Sequence, residues 1–155
     1  MKSILFATIL VLISPIAAFG QSLVGVWKPV EDIDFRGPDR GIHTADIQPG
    51  LLVFTKQYYS AVYVLGYSPR PRLSDNPTDE ERGRVFQPFV ATAGTYAWSD
   101  STITFRASVS KNPAGMDGTA RTLQARLQAD SLWLTIKASD GTPEGRVKWV
   151  RIERP

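Results

Sequence analysis

Beyond residue 20, apolar and polar positions alternate along most of the chain with a period of two, which is the pattern of β-strands with one buried face. Segments rich in Gly, Asp, Asn and Ser separate the apolar stretches and have the composition of turns and loops. Eight segments have the length and composition of strands, and most are joined by short connections. The predicted strands are residues 23–30, 51–56, 58–67, 95–99, 102–110, 119–128, 132–138 and 147–153.

Sequential hairpins of eight strands predict an all-β fold, an up-and-down antiparallel barrel, because closing the sheet leaves no open edge. A two-sheet sandwich is the alternative, although no Greek-key crossover is indicated. One helix is expected between the third and fourth strands, capped by Thr78 or Asp75 and reaching to about Val90. Residues 31–48 show no sustained period and predict a long connection, which in a small domain is often functional, for example as a lid.

The first twenty residues have the pattern of a signal peptide. Lys2 precedes an apolar run over residues 4–13, and Ala18 and Gly20 place small residues where signal peptidase requires them. The run is shorter than the ~20 residues needed to span a bilayer. We therefore expect cleavage after residue 20, no transmembrane segment in the mature chain, and a periplasmic or secreted protein in which residues 21–155 form one barrel domain.

The period of two also predicts which residues face the barrel interior. Arg121 is a charged residue in phase with an apolar row, so it either keeps its head in water at the mouth or faces the polar end of a ligand. Tyrosines near the mouth would hold an apolar ligand and fix its polar end. The expected ligand-contacting residues are Tyr63, Tyr67, Tyr96, Phe105, Arg121, Leu123 and Leu134, and the expected lining also includes Leu51, Val53, Ile103, Ala107 and Val109.

Composition excludes several kinds of chemistry. The chain has no Cys, so disulfides, thiol catalysis and thiolate metal sites are excluded. Its single His, His43, argues against a His-based metal site or a Ser-His-Asp triad, and a lone His in a polar loop is usually solvated. Cleavage of the signal peptide removes one of 18 basic residues and none of 15 acidic residues, leaving a net charge of +2. We expect no metal, no cofactor and no nucleic-acid partner.

Short motifs are spread in order over nearly the whole mature chain. The first is Gly25-Val26-Trp27, which matches the Gly-x-Trp of lipocalin-type barrels. The others are Tyr59-Ser60-Ala61, Arg70-Pro71-Arg72, Ala93-Gly94-Thr95-Tyr96, Ser110 with Asn112-Pro113 and Gly115, Gly118-Thr119 with Arg121, Asp130-Ser131-Leu132-Trp133-Leu134, and Trp149-Val150-Arg151. In these motifs the chain resembles the bacterial lipocalin-like domain family, whose members are largely of unknown function.

The resemblance implies an eight-stranded barrel whose interior can hold a small apolar molecule, and it supplies no catalytic residue. In lipocalin-type barrels the Trp of Gly-x-Trp closes one end, and an Arg of the last strand packs over it. Trp27 and Arg151 occupy the matching positions here. By this resemblance Gly25, Trp27, Trp149 and Arg151 are expected to be structural residues.

Three hypotheses about function follow. The first is an exported carrier that holds a small hydrophobic molecule inside the barrel. The second is an isomerase or cyclase that acts mainly by pocket shape, with Tyr63, Tyr96 or Arg121 polarising an apolar substrate. The third is a barrel filled by its own side chains that serves as a structural or interaction module. The interior cavity and its contents distinguish these hypotheses best.

Overall fold

The computed structural model describes residues 22–99 and 101–155. The predicted signal peptide, residues 1–20, lies outside them, and its cleavage stays a prediction. The described elements are, in chain order, β1 (Gly25–Asp34), β2 (Gly41–His43), β3 (Gly50–Phe54), β4 (Tyr58–Val64), α1 (Asp79–Phe86), β5 (Phe89–Ser99), β6 (Thr102–Ser110), a 3-10 turn (Pro113–Met116), β7 (Arg121–Gln128), β8 (Ser131–Lys137) and β9 (Pro143–Glu153).

The sheet closes on itself. Strands β1, β3, β4, β5, β6, β7, β8 and β9 pair in that order, all antiparallel, and β9 pairs back along β1. This arrangement confirms the predicted eight-stranded up-and-down barrel. The helix lies between the third and fourth strands of the barrel, which are β4 and β5 because the additional strand β2 precedes them. Neither helical segment within the described ranges is long and apolar enough to cross a membrane.

Helix α1 begins as predicted and ends earlier. Thr78 is its N-cap, and a capping box joins Thr78 and Glu81: each side chain accepts a hydrogen bond from the other residue's backbone N–H. The helix ends at Phe86. Val90, the expected end, is instead a strand residue that pairs with Tyr63 across β4 and β5. The extension to Val90 was therefore wrong, because cross-strand pairing in the barrel outweighs the helix pattern at this point.

Part of the predicted connection over residues 31–48 is strand. β1 continues to Asp34 and pairs there with the first half of β9, and β2 pairs with the same end of β1 through Asp32 and His43. The side chains of residues 29–34 are neither fully buried nor fully exposed. These residues consequently lack the clean alternation of a strand with one buried face. The sequence pattern therefore did not predict that β1 continues to Asp34.

The inward face of β3 was predicted in the wrong phase. Leu51 and Val53 were expected inside, but Leu52 and Phe54 are the buried residues, at 2% and 1% exposure, and Leu51 is 47% exposed. Four consecutive apolar residues give no alternation from which to read a phase. Pairing decides it: Leu52 lies opposite Trp27 of β1, and directly paired residues share one face of the sheet.

The inward face of β6 changes within the strand. Val109 was expected inside but is 60% exposed. Between Ala93 and Gly94 of β5 the register with β6 shifts, so that Ser108 is an extra residue opposite no partner. Such a β-bulge inverts the phase of the residues that follow it. Ser110, not Val109, therefore faces the barrel interior at this end.

One end of the barrel is closed by packed side chains. The connections β3–β4, β5–β6 and β7–β8 are short and lie at this end, whereas longer connections lie at the other, open end. The largest fully buried side chains belong to the closed end and are Trp27, Phe54, Ile103 and Leu132. The core is thus concentrated at one end, and the other end is free to hold a cavity.

Arg151 lies over Trp27 at the closed end. Its guanidinium carbon is 4.2 Å from the centre of the Trp27 ring system, within the range of a cation–π contact. The same guanidinium donates to the backbone oxygens of Ser22 and Val24 and, at 3.0 Å, to the Asp130 carboxylate. Arg151 therefore fastens the segment before β1 to the end of the barrel.

Gly25 leaves the room that this arrangement needs. Its φ of +135° is rarely adopted by residues with a side chain, and an added Cβ would overlap the backbone oxygen of Glu153 and lie 3.3 Å from a guanidinium nitrogen of Arg151. The Gly of the Gly-x-Trp motif is thus required by both the backbone and the packing of Arg151.

We expect Arg151→Met to lower the free energy of unfolding by about 2 kcal/mol, because it removes the cation–π contact and donors from two backbone oxygens. Chemical denaturation measures this loss. Arg154→Met is the matched control: Arg154 also pairs with Asp130 but is 70% exposed, so its loss should change stability by no more than about 0.5 kcal/mol. Equal effects of the two substitutions would show that Arg151 contributes nothing beyond a surface ion pair.

Candidate functional site

A cavity of about 860 Å³ occupies the barrel interior and opens at the end opposite Trp27. This volume lies in the range of small-molecule sites in proteins. The side chains of the described residues therefore do not fill the barrel, which argues against the hypothesis of a filled structural module. The apolar and aromatic part of the lining includes Leu52, Tyr59, Ala61, Tyr63, Val90, Phe105, Ala107, Leu123, Leu134, Ile136, Val147 and Trp149.

Three aromatic rings form the packed floor between the cavity and the closed end. Phe105 lies with its ring centre 4.6 Å from that of Tyr59 and 6.3 Å from that of Phe54. The Tyr59 hydroxyl is 3.0 Å from that of Thr92, so its polar end is satisfied within the wall. The floor therefore presents mainly apolar surface to a molecule in the cavity.

Six of the seven expected ligand-contacting residues line the cavity. They are Tyr63, Tyr67, Phe105, Arg121, Leu123 and Leu134. Tyr67 does so from the loop after β4 and not from the predicted strand. Tyr96 is the exception: it packs edge-on against Phe54 with ring centres 4.8 Å apart, and its hydroxyl donates to the backbone oxygen of Thr55 at 2.8 Å. Tyr96 belongs to the closed end and is not part of the cavity lining.

Arg121 begins β7 at a split in the barrel wall. Only Thr102 to Phe105 of β6 pair with β7, so β6 and β7 separate toward the open end. The 3-10 turn and its neighbours border the cavity there, together with Arg121. Leu123, Ala125 and Leu127 follow on the same face of β7, so Arg121 points toward the barrel interior. Its position at the mouth of the barrel leaves it exposed. The phase predicted for Arg121 is therefore correct.

The Tyr63 hydroxyl and Arg121 form a polar pair in the cavity wall. Burial raises the pKa of Tyr63, and the nearby positive charge of Arg121 opposes that rise. Tyr63 consequently remains a neutral phenol at physiological pH and keeps its O–H as a donor. The pair places a cation and a hydroxyl in a cavity that is lined mainly by apolar side chains.

Trp149 was expected to be purely structural, but it also lines the cavity. Its ring lies edge-to-face with Tyr63, with ring centres 6.0 Å apart. Trp149 is only 5% exposed, and its Nε1–H has no hydrogen-bond partner among the described residues. A buried donor without an acceptor is costly and uncommon in proteins. The alternation along β9 does not indicate this, because a Trp in strand phase is usually a core residue.

A cluster of ring and carboxylate groups stands at the rim of the open end. The Tyr67 hydroxyl donates to the Asp32 carboxylate at 3.3 Å, and the His43 ring stacks on Tyr67 with ring centres 3.4 Å apart. The side chain of His43 is 19% exposed, so it is less solvated than a lone loop His was expected to be. The cluster holds the connection between β1 and β3 against the rim, a contact that no local sequence signal revealed.

The surroundings shift the acid–base behaviour of this rim cluster. Burial raises the pKa of Asp32. The hydrogen bond from Tyr67 lowers this pKa, whereas the negative charge of Asp34 raises it further. The contact with the backbone oxygen of Asp39 raises the pKa of His43, as does the Asp46 carboxylate 3.1 Å away. Burial, followed by the charge of Asp32, raises the pKa of Tyr67, which therefore stays a neutral donor.

Other charged residues at the rim form hydrogen bonds and an ion pair with each other. Arg36 reaches the Glu144 carboxylate at 3.4 Å, and its backbone N–H donates to Asp34 at 2.8 Å. Within residues 22–99 and 101–155, no group of three or more His, Asp or Glu side chains is placed to hold a metal ion. The chemistry available at the cavity is therefore apolar contact, a small set of hydrogen-bond donors, and the carboxylates of Asp32, Asp34, Asp39 and Glu144 near its mouth.

The solved structures to which this chain is similar include two from Bacteroides species. One is an uncharacterised protein from Bacteroides eggerthii DSM 20697, 13% identical, covering 84% of this chain and 99% of its own, with a TM-score of 0.47. The other is a lipocalin-like protein from Bacteroides uniformis ATCC 8492, 15% identical, covering 84% of this chain and 98% of its own, with a TM-score of 0.48. No protein-family model matches the chain. No curated protein matches it either.

Proposed function

We propose that this domain binds a small apolar molecule in the barrel cavity and carries it outside the cytoplasm, where the pattern of residues 1–20 predicts export. The observation that carries the proposal is the cavity of about 860 Å³, lined mainly by apolar and aromatic side chains and open at one end. Transfer of apolar groups from water into such a site is favourable by roughly 25 cal/mol per Å² of buried surface.

The construction of the barrel supports a cavity that exists before the ligand arrives. The closed end is packed by side chains with 0–1% exposure, and β1 pairs along its length with β9. The inner part of the cavity wall consists of strands of this closed sheet, and loops border the cavity at its mouth. A pre-formed cavity saves the cost of ordering the protein on binding, which improves affinity for a given contact area.

The experiment uses N-phenyl-1-naphthylamine, a neutral apolar fluorophore, together with single cysteine variants. The chain has no Cys, so Ala107→Cys places a unique thiol in the cavity and Ala97→Cys places one on the exposed outer face of β5. We expect the fluorophore to bind and to slow alkylation of the Ala107→Cys thiol roughly tenfold at ten times its Kd, by mass action.

The Ala97→Cys variant is the matched control, because it carries the same substitution in a barrel strand but faces solvent. Its alkylation rate should not change when the fluorophore is added. Absence of binding, or binding that leaves the Ala107→Cys rate unchanged, would contradict the proposed function. Equal protection of both thiols would indicate binding by association of chains and would contradict it as well.

A further inference from the structure

Two hydrogen-bond donors enter the cavity lining from opposite parts of the sheet. They are the guanidinium of Arg121 on β7 and the hydroxyl of Tyr63 on β4. The guanidinium cannot accept a hydrogen bond at all, and its charge acts on the nearby Tyr63 hydroxyl. A molecule that satisfies these groups must therefore bring acceptor atoms.

Arg121 also supplies a positive charge without a carboxylate partner in the part of the chain that the structure describes. The other cation lining the cavity, Arg36, is paired with Glu144. Among the other carboxylates of the lining, Asp34 accepts from the Arg36 backbone and Asp32 accepts from Tyr67. Asp39 also lines the cavity near its mouth. The charge of Arg121 is thus the one that a bound anion can approach from within the cavity.

Trp149 closes the cavity wall beside Tyr63. It is 5% exposed, and its Nε1 is itself shielded from the cavity, so a bound molecule meets the ring and not the N–H. The cation that a ligand meets in this lining is therefore Arg121. It favours an acceptor that is part of an anion, since hydrogen bonds to charged groups are stronger than those between neutral groups.

We infer that Arg121 and Tyr63 recognise the carboxylate head of an amphiphilic ligand whose apolar tail extends along Leu123, Leu134 and Leu52 toward the closed end. This inference rests on the proposed function and names its ligand class. The guanidinium supplies charge and a planar set of donors, and the phenol supplies a further donor. Arg121 is in this account a specificity-determining residue.

The test compares three ligands with one tail and different heads. Dodecanoate, 1-dodecanol and dodecylammonium each compete with N-phenyl-1-naphthylamine below their micelle-forming concentrations. We expect dodecanoate to compete best with the wild-type chain. Arg121→Gln should lower the affinity for dodecanoate about tenfold and leave the affinities for dodecanol and the fluorophore unchanged. The expected loss is at the lower end for a charged hydrogen bond because Arg121 is exposed at the mouth of the cavity.

Three further variants complete the test. Arg121→Lys keeps the charge and should restore most of the preference for dodecanoate. Asp32→Asn removes a carboxylate at the rim, so it should raise the affinity for dodecanoate and lower the affinity for dodecylammonium. Arg126→Gln is the matched control, because Arg126 lies on the same strand with its side chain on the outer face over Trp133. It should leave the affinities for all three ligands unchanged.

The outcomes separate this inference from the proposed function. If the fluorophore does not bind at all, the proposed function fails and the inference fails with it. If the fluorophore binds but dodecanol competes as well as dodecanoate, or Arg121→Gln and Arg126→Gln act alike, the inference alone is overturned. A preference for dodecylammonium would also overturn it, because it would assign recognition to the rim carboxylates.

Discussion

Replacing Trp27 by alanine is expected to lower the free energy of unfolding by about 3–5 kcal/mol, the usual cost of removing a large aromatic side chain from a core. Trp27 is fully buried, donates its indole N–H to the Leu23 backbone oxygen at 2.8 Å, and carries the Arg151 guanidinium on its face. Its loss opens a cavity at the closed end and leaves that oxygen without its donor. Thermal and chemical denaturation should both report the loss, with a fall in Tm of about 10 °C or more.

Trp133→Ala provides the comparison for this prediction. Trp133 lies on the outer face of β8 between the side chains of Arg126 and Lys148, which contact its ring from distances of 5.3 and 5.4 Å. Removing it costs surface cation–π contacts but creates no cavity, so the expected loss is about 1 kcal/mol. If Trp27→Ala and Trp133→Ala destabilised the chain equally, the closed end would not be the part of the barrel that maintains the fold.

Gly94→Ala is expected to cost about 3 kcal/mol, the upper part of the range for forcing atoms into a packed region. An added Cβ would overlap the backbone oxygen of Arg106 and lie 2.8 Å from the backbone nitrogen of Ser108 and 2.9 Å from the Cα of Ala107. All three are backbone atoms of β6 at the bulge, so no side-chain rotation relieves the clash. Chemical denaturation measures the cost, and the Ala107→Cys alkylation rate reports any local opening of the cavity wall.

Gly83→Ala is the matched glycine control. Gly83 lies within α1, and a Cβ there meets nothing within 4 Å. Because Gly disfavours helix relative to Ala, this substitution should be neutral or stabilising by up to about 1 kcal/mol. A Gly94→Ala variant as stable as Gly83→Ala would mean that β5 and β6 do not approach as closely at the bulge as described.

The barrel itself was predictable from the sequence because closure depends on features that are local. Strand length, turn composition and alternation determine where hairpins form, and eight sequential hairpin strands have few ways to avoid an open edge. The capping box at Thr78 is local in the same way. The inward row of β8, with Leu132 and Leu134 buried, also agrees with its alternation.

What could not be predicted depends on contacts between distant strands. The run Leu51 to Phe54 is apolar at every position, so only its pairing with β1 and β4 selects the buried face. The bulge at Ser108 turns Val109 outward, yet nothing in the residues around it requires an extra residue. β2 forms because β1 offers it a free edge, and a three-residue strand has too little pattern of its own.

The same distinction applies to the candidate site. Arg121 could be recognised because a charge in phase with an apolar row is visible in one strand. Tyr96 followed the same aromatic pattern as Tyr63, but the register places it against Phe54 at the closed end. The rim contact of His43 with Tyr67 joins residues that are 24 positions apart in the chain, with β3 and β4 between them, and alternation carries no information about such a contact.

The claim that the barrel interior is a ligand site is tested most directly by anomalous diffraction from crystals grown with a dodecanoate that carries bromine at the end of its tail. Bromine scatters anomalously, so its position is found without assuming where the ligand lies. The account predicts one bromine peak inside the cavity, within contact distance of the wall residues that surround Leu52 and Leu134. Bromine found solely on the outer surface, with the cavity free of ligand, would contradict it.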